Sequence, residues 1–130
     1  MLKQYVFVPK KPAMSAGKIA SQVAHATFMA LDKQSNIKGS WSSGEPDGDW
    51  HIERWKESGM CVIVCEVETW ASLIALDKYF EQWNVVHHLY IDEGMTEVEP
   101  MTPTALATGI IEDDKQWMFE KFKLFGAKKK

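Results

Sequence analysis

No apolar run in these 130 residues approaches the roughly 20 needed to cross a bilayer, so no membrane association through a spanning helix is expected. The chain reads from its first residues directly into a strand, with no signal-peptide apolar block, and a cytoplasmic location is the expectation. Cysteine is scarce: Cys61 and Cys65 both lie in Cys-Val-Ile-Val-Cys. On one strand they face the same side about 13 Å apart, at ~3.3 Å per residue. That separation is too great for a disulfide with each other, and buried reduced thiols fit a reducing compartment. His51, His87 and His88 have no Cys or carboxylate at metal-site spacing, so neither metal nor cofactor is expected. A Gly-x-Ser-x-Gly elbow and a Cys–His pairing are both missing, which argues against covalent catalysis. Gly17-Lys18 is not a Walker A loop, because that motif's first glycine and the Ser/Thr after its lysine are absent.

Against these absences, 45% apolar and 25% charged content suits an ordinary globular chain. Residues 1–130 are expected to form one compact domain. The net charge of −3 hides a segregation. Residues 1–38 hold six Lys against one acid, residues 39–120 four basic against seventeen acidic side chains, and residues 121–130 five Lys and no acid. Basic segments at both ends could meet nucleic acid if they cluster in space; otherwise residues 126–130 are a solvated basic tail.

Tyr5 to Pro9 alternates as a first strand. Ser15 is the expected N-cap of a helix running to about Leu31. Residues 34–49, with Gly39, Gly44, Pro46 and Gly48, are expected to be a flexible surface loop. A short Trp-rich helix follows over 50–58. Met60 to Val67 is a continuous apolar run, as in a strand covered on both faces. Thr69 caps a helix that places Leu73, Leu76, Phe80 and Trp83 on one stripe, and Asn84 stops it. Val85 to Ile91 is a third strand, Thr104 to Ile111 a fourth, and Glu112-Asp113-Asp114 opens a last helix. The alternation implies an α/β layer structure, with the first three strands parallel through right-handed crossovers. The connector 92–103 has no helical period and two prolines, so the fourth strand returns antiparallel.

This topology gathers chemistry at one rim. Ligands of open α/β sheets sit beyond the carboxyl ends of parallel strands. The first strand feeds the helix start with Ser15, Gly17 and Lys18; the third ends at Asp92; the reversed fourth begins near Thr102 and Thr104. At ~100° per residue, Gln22 lies about 40° from Lys18 and His25 about 20° to its other side. The three make one polar stripe flanked by Ile19, Val23 and Ala26, which is either a site or a solvent-facing stripe. The helix start attracts anions, and Lys18 adds a full charge. Asp92 before Gly94 and Thr96 is either a turn-stabilising residue or part of a functional connector. Together these groups suit gripping phosphate and hydrolysing an ester without a covalent intermediate. Of the six Trp residues, Trp41 and Trp50 beside the polar loop are placed to stack on a base.

The collinear stretches Met14-Ser-Ala-Gly-Lys18-Ile-Ala-Ser-Gln22-Val-Ala-His25-Ala26, Trp55-Lys-Glu-Ser-Gly59 and Ile91-Asp92-Glu-Gly94-Met-Thr96-Glu-Val resemble the peptidyl-tRNA hydrolase family of archaeal and eukaryotic type. Thr102-Pro-Thr104-Ala-Leu-Ala-Thr-Gly109 and Phe122-Lys-Leu-Phe125 extend the likeness over almost the whole chain. The resemblance implies a three-layer α/β/α fold with a mixed four-stranded sheet, strand four antiparallel to the rest, as a homodimer. It implies metal-independent hydrolysis of the ester between a peptide and tRNA. The family's functional positions map onto Lys18, Gln22, His25, Asp92, Thr96 and Thr104. With the rim residues above, catalytic roles are expected of Lys18, His25, Asp92 and Thr104, and substrate binding of Ser15, Gly17, Gln22, Thr96 and Thr102. Three positions depart from the family pattern: Glu93 adds charge after the Asp, Met101 stands where a Pro-Gly-Thr turn has glycine, and Pro103 precedes the fourth strand. The alternative is a non-catalytic relative that binds tRNA, other RNA or protein, and a dimeric scaffold using its Trp residues is a third.

Overall fold

The computed structural model describes residues 1–93 and 97–127. The elements are β1 (Lys3–Lys11), α1 (Ala16–Ser35), α2 (Gly48–Glu57), β2 (Cys61–Thr69), α3 (Trp70–Gln82), β3 (His87–Asp92), β4 (Thr102–Ile111) and a 3-10 helix, Asp113–Phe119. One sheet has the order β2-β1-β4-β3. β1 and β2 are parallel, and β4 runs antiparallel to both its neighbours, β1 and β3. β3 therefore points the same way as β1 and β2, and β4 is the one reversed strand, as its helix-free connector requires.

Alternation along β1 builds the two outer layers. Tyr5 and Phe7 face Leu73 and Phe80 of α3 and Met118 and Phe119 of the 3-10 helix. Val6 and Val8 face Ala26 and Ala30 of α1, with Ala105 and Ala107 of β4 beside them. Phe7 and Phe80 are fully buried, and each such side chain contributes about 1.5–3 kcal/mol by leaving water. The four alanines let α1 lie close on the sheet, which matters because α1 also carries polar residues to the sheet's end. Of the stripe expected on α3, Trp83 departs: it is the C-cap, half-exposed, and Asn84 follows with φ +56.

Three further features shape the frame. α1 runs one turn past its expected end because Gln34 is held there: its Oε1 accepts the Ile110 amide at 2.7 Å. Gly48 packs so closely on that residue that a Cβ would lie 1.7 Å from the Gln34 carbonyl oxygen. Between them, Ser40 bridges Glu45 and the Gly39 amide donates to Asp47 Oδ1 at 2.6 Å. At the far edge, the C-terminal segment lies along β2: Phe125 N donates to the Val64 carbonyl at 2.9 Å and Glu66 N to the Lys123 carbonyl at 2.8 Å. Cys61 and Cys65 are free thiols, and burial pushes Cys65 up to about 11.

Candidate active site

Ser15 caps α1, its hydroxyl accepting the Lys18 amide at 3.2 Å. One helical turn apart, Lys18 and Gln22 point inward over the sheet's end, and Ala26 and Ala30 continue the same i, i+4 line into the core. The ridge that packs on the sheet is therefore 18-22-26-30. The polar half of this ridge is buried, so the solvent-facing alternative for the stripe does not describe it.

Asp92 ends β3 directly opposite Thr102, the first residue of β4. Lys18 Nζ lies 2.9 Å from Asp92 Oδ1, and each side chain is only 9% exposed. Two residues along β4, the buried Thr104 donates its hydroxyl to Gln22 Oε1. Lys18, Gln22, Asp92 and Thr104 thus form two adjoining contacts where α1, β3 and β4 meet.

His25 is placed differently. It is exposed and its ring stacks on Tyr90 of β3, with centroids 4.8 Å apart. It stands on the flank of the buried ridge, on the side of Lys18 away from Gln22. Thr102 donates its hydroxyl to the Glu99 carbonyl at 2.6 Å. Gly17 has no atom within 4 Å of where a Cβ would stand, so the helix start is open on that side. Thr96 lies outside the described residues.

Glu97 belongs to this cluster, although sequence reasoning assigned it nothing. Its carboxylate accepts the Ser15 amide at 2.7 Å and the Ser15 hydroxyl at 2.5 Å. The Ser15 hydroxyl and amide, with the charge of Lys18, hold the Glu97 carboxyl below its ordinary range. An acid in an irregular connector was the only available signal. The expected anion attraction of the helix start is thus met by a carboxylate of the chain itself.

The connector's departures are built around β4. Met101 takes φ +63, the left-handed conformation that a glycine would adopt without cost. Pro103 is buried opposite Ile91, beside a register shift between Tyr90 and Ile91. A bulge is where a strand tolerates a residue with no N–H. Glu93 is exposed.

Chemically, the site offers an ammonium, a carboxylate and a hydroxyl–amide pair, all largely buried. An ammonium can hold an anionic oxygen or polarise a carbonyl, and a carboxylate can orient water. No cluster of three His, Cys, Asp or Glu suited to a metal occurs among the described residues.

Residues 2–125 match the family model described as peptidyl-tRNA hydrolase PTH2. A peptidyl-tRNA hydrolase of Halobacterium salinarum is 32% identical over 108 residues, 83% of this chain and 85% of that protein. One of Aeropyrum pernix is 32% identical over 111 residues, 82% of each chain. A third, of Thermoplasma acidophilum, is 28% identical over 116 residues, 88% of this chain and 91% of its own.

Proposed function

Because the chain belongs to the peptidyl-tRNA hydrolase PTH2 family, we propose that the rim where α1, β3 and β4 meet is where it hydrolyses peptidyl-tRNA. The reaction adds water to the acyl carbon and breaks its bond to the terminal ribose oxygen. The peptide leaves with a free carboxyl group, and the ribose oxygen takes up a proton. The observation that supports this placement is the contact between Lys18 and Asp92, 2.9 Å apart and both nine-tenths buried.

In this reading Asp92 orients the attacking water, and Lys18 polarises the ester carbonyl or holds a neighbouring phosphate. A donor aimed at the developing oxyanion contributes about 3–4 kcal/mol. Thr104 and His25 are the two candidates to assist proton movement. Thr104 is fixed by Gln22 within the recess, whereas His25 stands on its flank against Tyr90. Ser15, Gly17 and Gln22 line the helix side of the substrate and Thr102 the connector side; the substrate-binding role expected of Thr96 falls outside the described residues.

Binding of the tRNA itself falls to the basic ends. Lys10 and Lys123, one from each end of the sequence, come within 4.0 and 3.6 Å of the same carboxylate oxygen of Glu66. Lys10 also reaches Glu68 at 3.7 Å. The convergence supports the two ends meeting at one place, with the remaining lysines of both ends carrying the attraction for phosphate. A cytoplasmic homodimer completes the proposal; the exposed Phe28, Trp83 and Trp117 offer apolar surface for association.

The test is release of tRNA from an N-acetyl-aminoacyl-tRNA by purified protein. Wild type turns over, and Asp92→Asn lowers kcat by about 100-fold or more. Salt-sensitive tRNA binding with no wild-type turnover would replace this reading by a binding-only one.

A further inference from the structure

A cavity of about 820 Å³ adjoins the site, and the mechanism above makes no use of it. It is lined by the buried Val98 and Pro103, by Pro12, by the half-exposed Trp70 and by the exposed Met101. We propose that this cavity receives the acyl part of the substrate: the side chain of the residue esterified to tRNA, with the peptide behind it. The proposal rests on the hydrolase reading and adds to it a subsite with a chemical preference.

Continuity with the site supports the assignment. Thr102 lines the cavity and pairs directly with Asp92. Glu97 lines it too and is tied to Ser15, whose hydroxyl caps the Lys18 amide. A group seated there lies next to an ester placed against the Lys18–Asp92 pair. Charge then selects which end of the substrate enters. The charged side chains lining the cavity, among the described residues, are Glu97 and Glu99. Two carboxylates repel the phosphates of the nucleic acid and tolerate apolar or cationic groups. The phosphates are thereby kept out of the cavity and the acyl end is admitted to it. Its volume lies within the roughly 300–1,000 Å³ typical of small-molecule sites.

The subsite therefore favours large apolar or basic residues at the ester over glycine and acidic ones. Trp70 is the residue to change, because it stands on the first turn of α3 with its ring outside the buried core. Trp70→Ala is expected to lower the ratio of kcat/KM for N-acetylleucyl-tRNA over N-acetylglycyl-tRNA about tenfold. Glu99→Lys is expected to shift preference from N-acetyllysyl-tRNA toward N-acetylglutamyl-tRNA; the Glu99 carbonyl that Thr102 uses is untouched by this change. A ratio identical in wild type and Trp70→Ala overturns the proposal. So does an equal loss for both acyl groups, which would give the cavity to the terminal nucleotide. An amide-linked, non-hydrolysable N-acetylleucyl-aminoadenosine keeps the two readings separable. If it shifts the Trp70 indole resonance and binds Trp70→Ala more weakly, the subsite stands even without turnover. Turnover with no response at Trp70 removes the subsite and leaves the hydrolase.

Discussion

Glu97 grips Ser15 with both carboxylate oxygens, one on the amide at 2.7 Å and the other on the hydroxyl at 2.5 Å. The contact joins the connector to the start of α1, so the two segments that carry Asp92 and Lys18 are held by a bond that neither residue makes.

This contact makes stability depend on acid. The Ser15 bonds lower the Glu97 carboxyl in the folded protein, so its contribution is complete above the unfolded value near about 4.3 and is lost as pH falls through the folded value. Glu97→Gln is expected to be less stable than wild type at pH 7. The difference narrows as pH drops below about 4. Urea midpoints of both proteins across this range measure it, and an equal difference at both ends would assign the contact no role.

The Lys18–Asp92 pair separates folding from chemistry. Removing one partner of a buried ion pair costs about 3–5 kcal/mol. Lys18→Met should lose about that much, and Lys18→Met with Asp92→Asn should recover most of it. Neither protein should hydrolyse peptidyl-tRNA. Urea unfolding and single-turnover assays on the same samples check both halves.

Thr104→Val removes the only hydroxyl that reaches Gln22 Oε1 among the described contacts. A buried carbonyl left without its donor costs about 1–3 kcal/mol. Thr104→Ser keeps the donor and should lose clearly less. Adding Gln22→Leu to Thr104→Val should restore part of the loss, which a double-mutant cycle reads directly.

Met101, at φ +63, sits where an L-residue is strained, by about 1–2 kcal/mol. Met101→Gly is expected to raise stability by up to about 1 kcal/mol after glycine's larger entropy loss. Met101→Ala keeps the strain and should give no such rise. Thermal unfolding of the three proteins distinguishes them.

Much of this architecture was legible from local pattern. Ser15 and Thr69 stand at the N-caps where their side-chain chemistry placed them, and the helix-free connector foretold the reversal of β4. What escaped the sequence depended on distant partners. β1 continues to Lys11 because Lys11 pairs with Thr69. α1 continues past Leu31 because Gln34 is taken by Ile110. The last helix is 3-10 rather than regular α, and Trp83 turns outward where α3 stops. At the site, helical spacing put Lys18 and Gln22 on one face, and strand order brought Asp92 and Thr104 to them. The side-step of His25 and the reach of Glu97 depended on how α1 is rotated and how the connector folds. No residue spacing encodes either.

The backbone of residues 123–125 fills hydrogen-bonding positions on the outer side of β2 that would otherwise stand bare. Bare strand edges recruit other chains, so this short stretch protects the protein from sticking to itself along that flank. The sheet's other outer strand is β3, the strand that ends at Asp92. A chain that added a strand beside β3 would therefore lie next to the rim proposed to cut the ester.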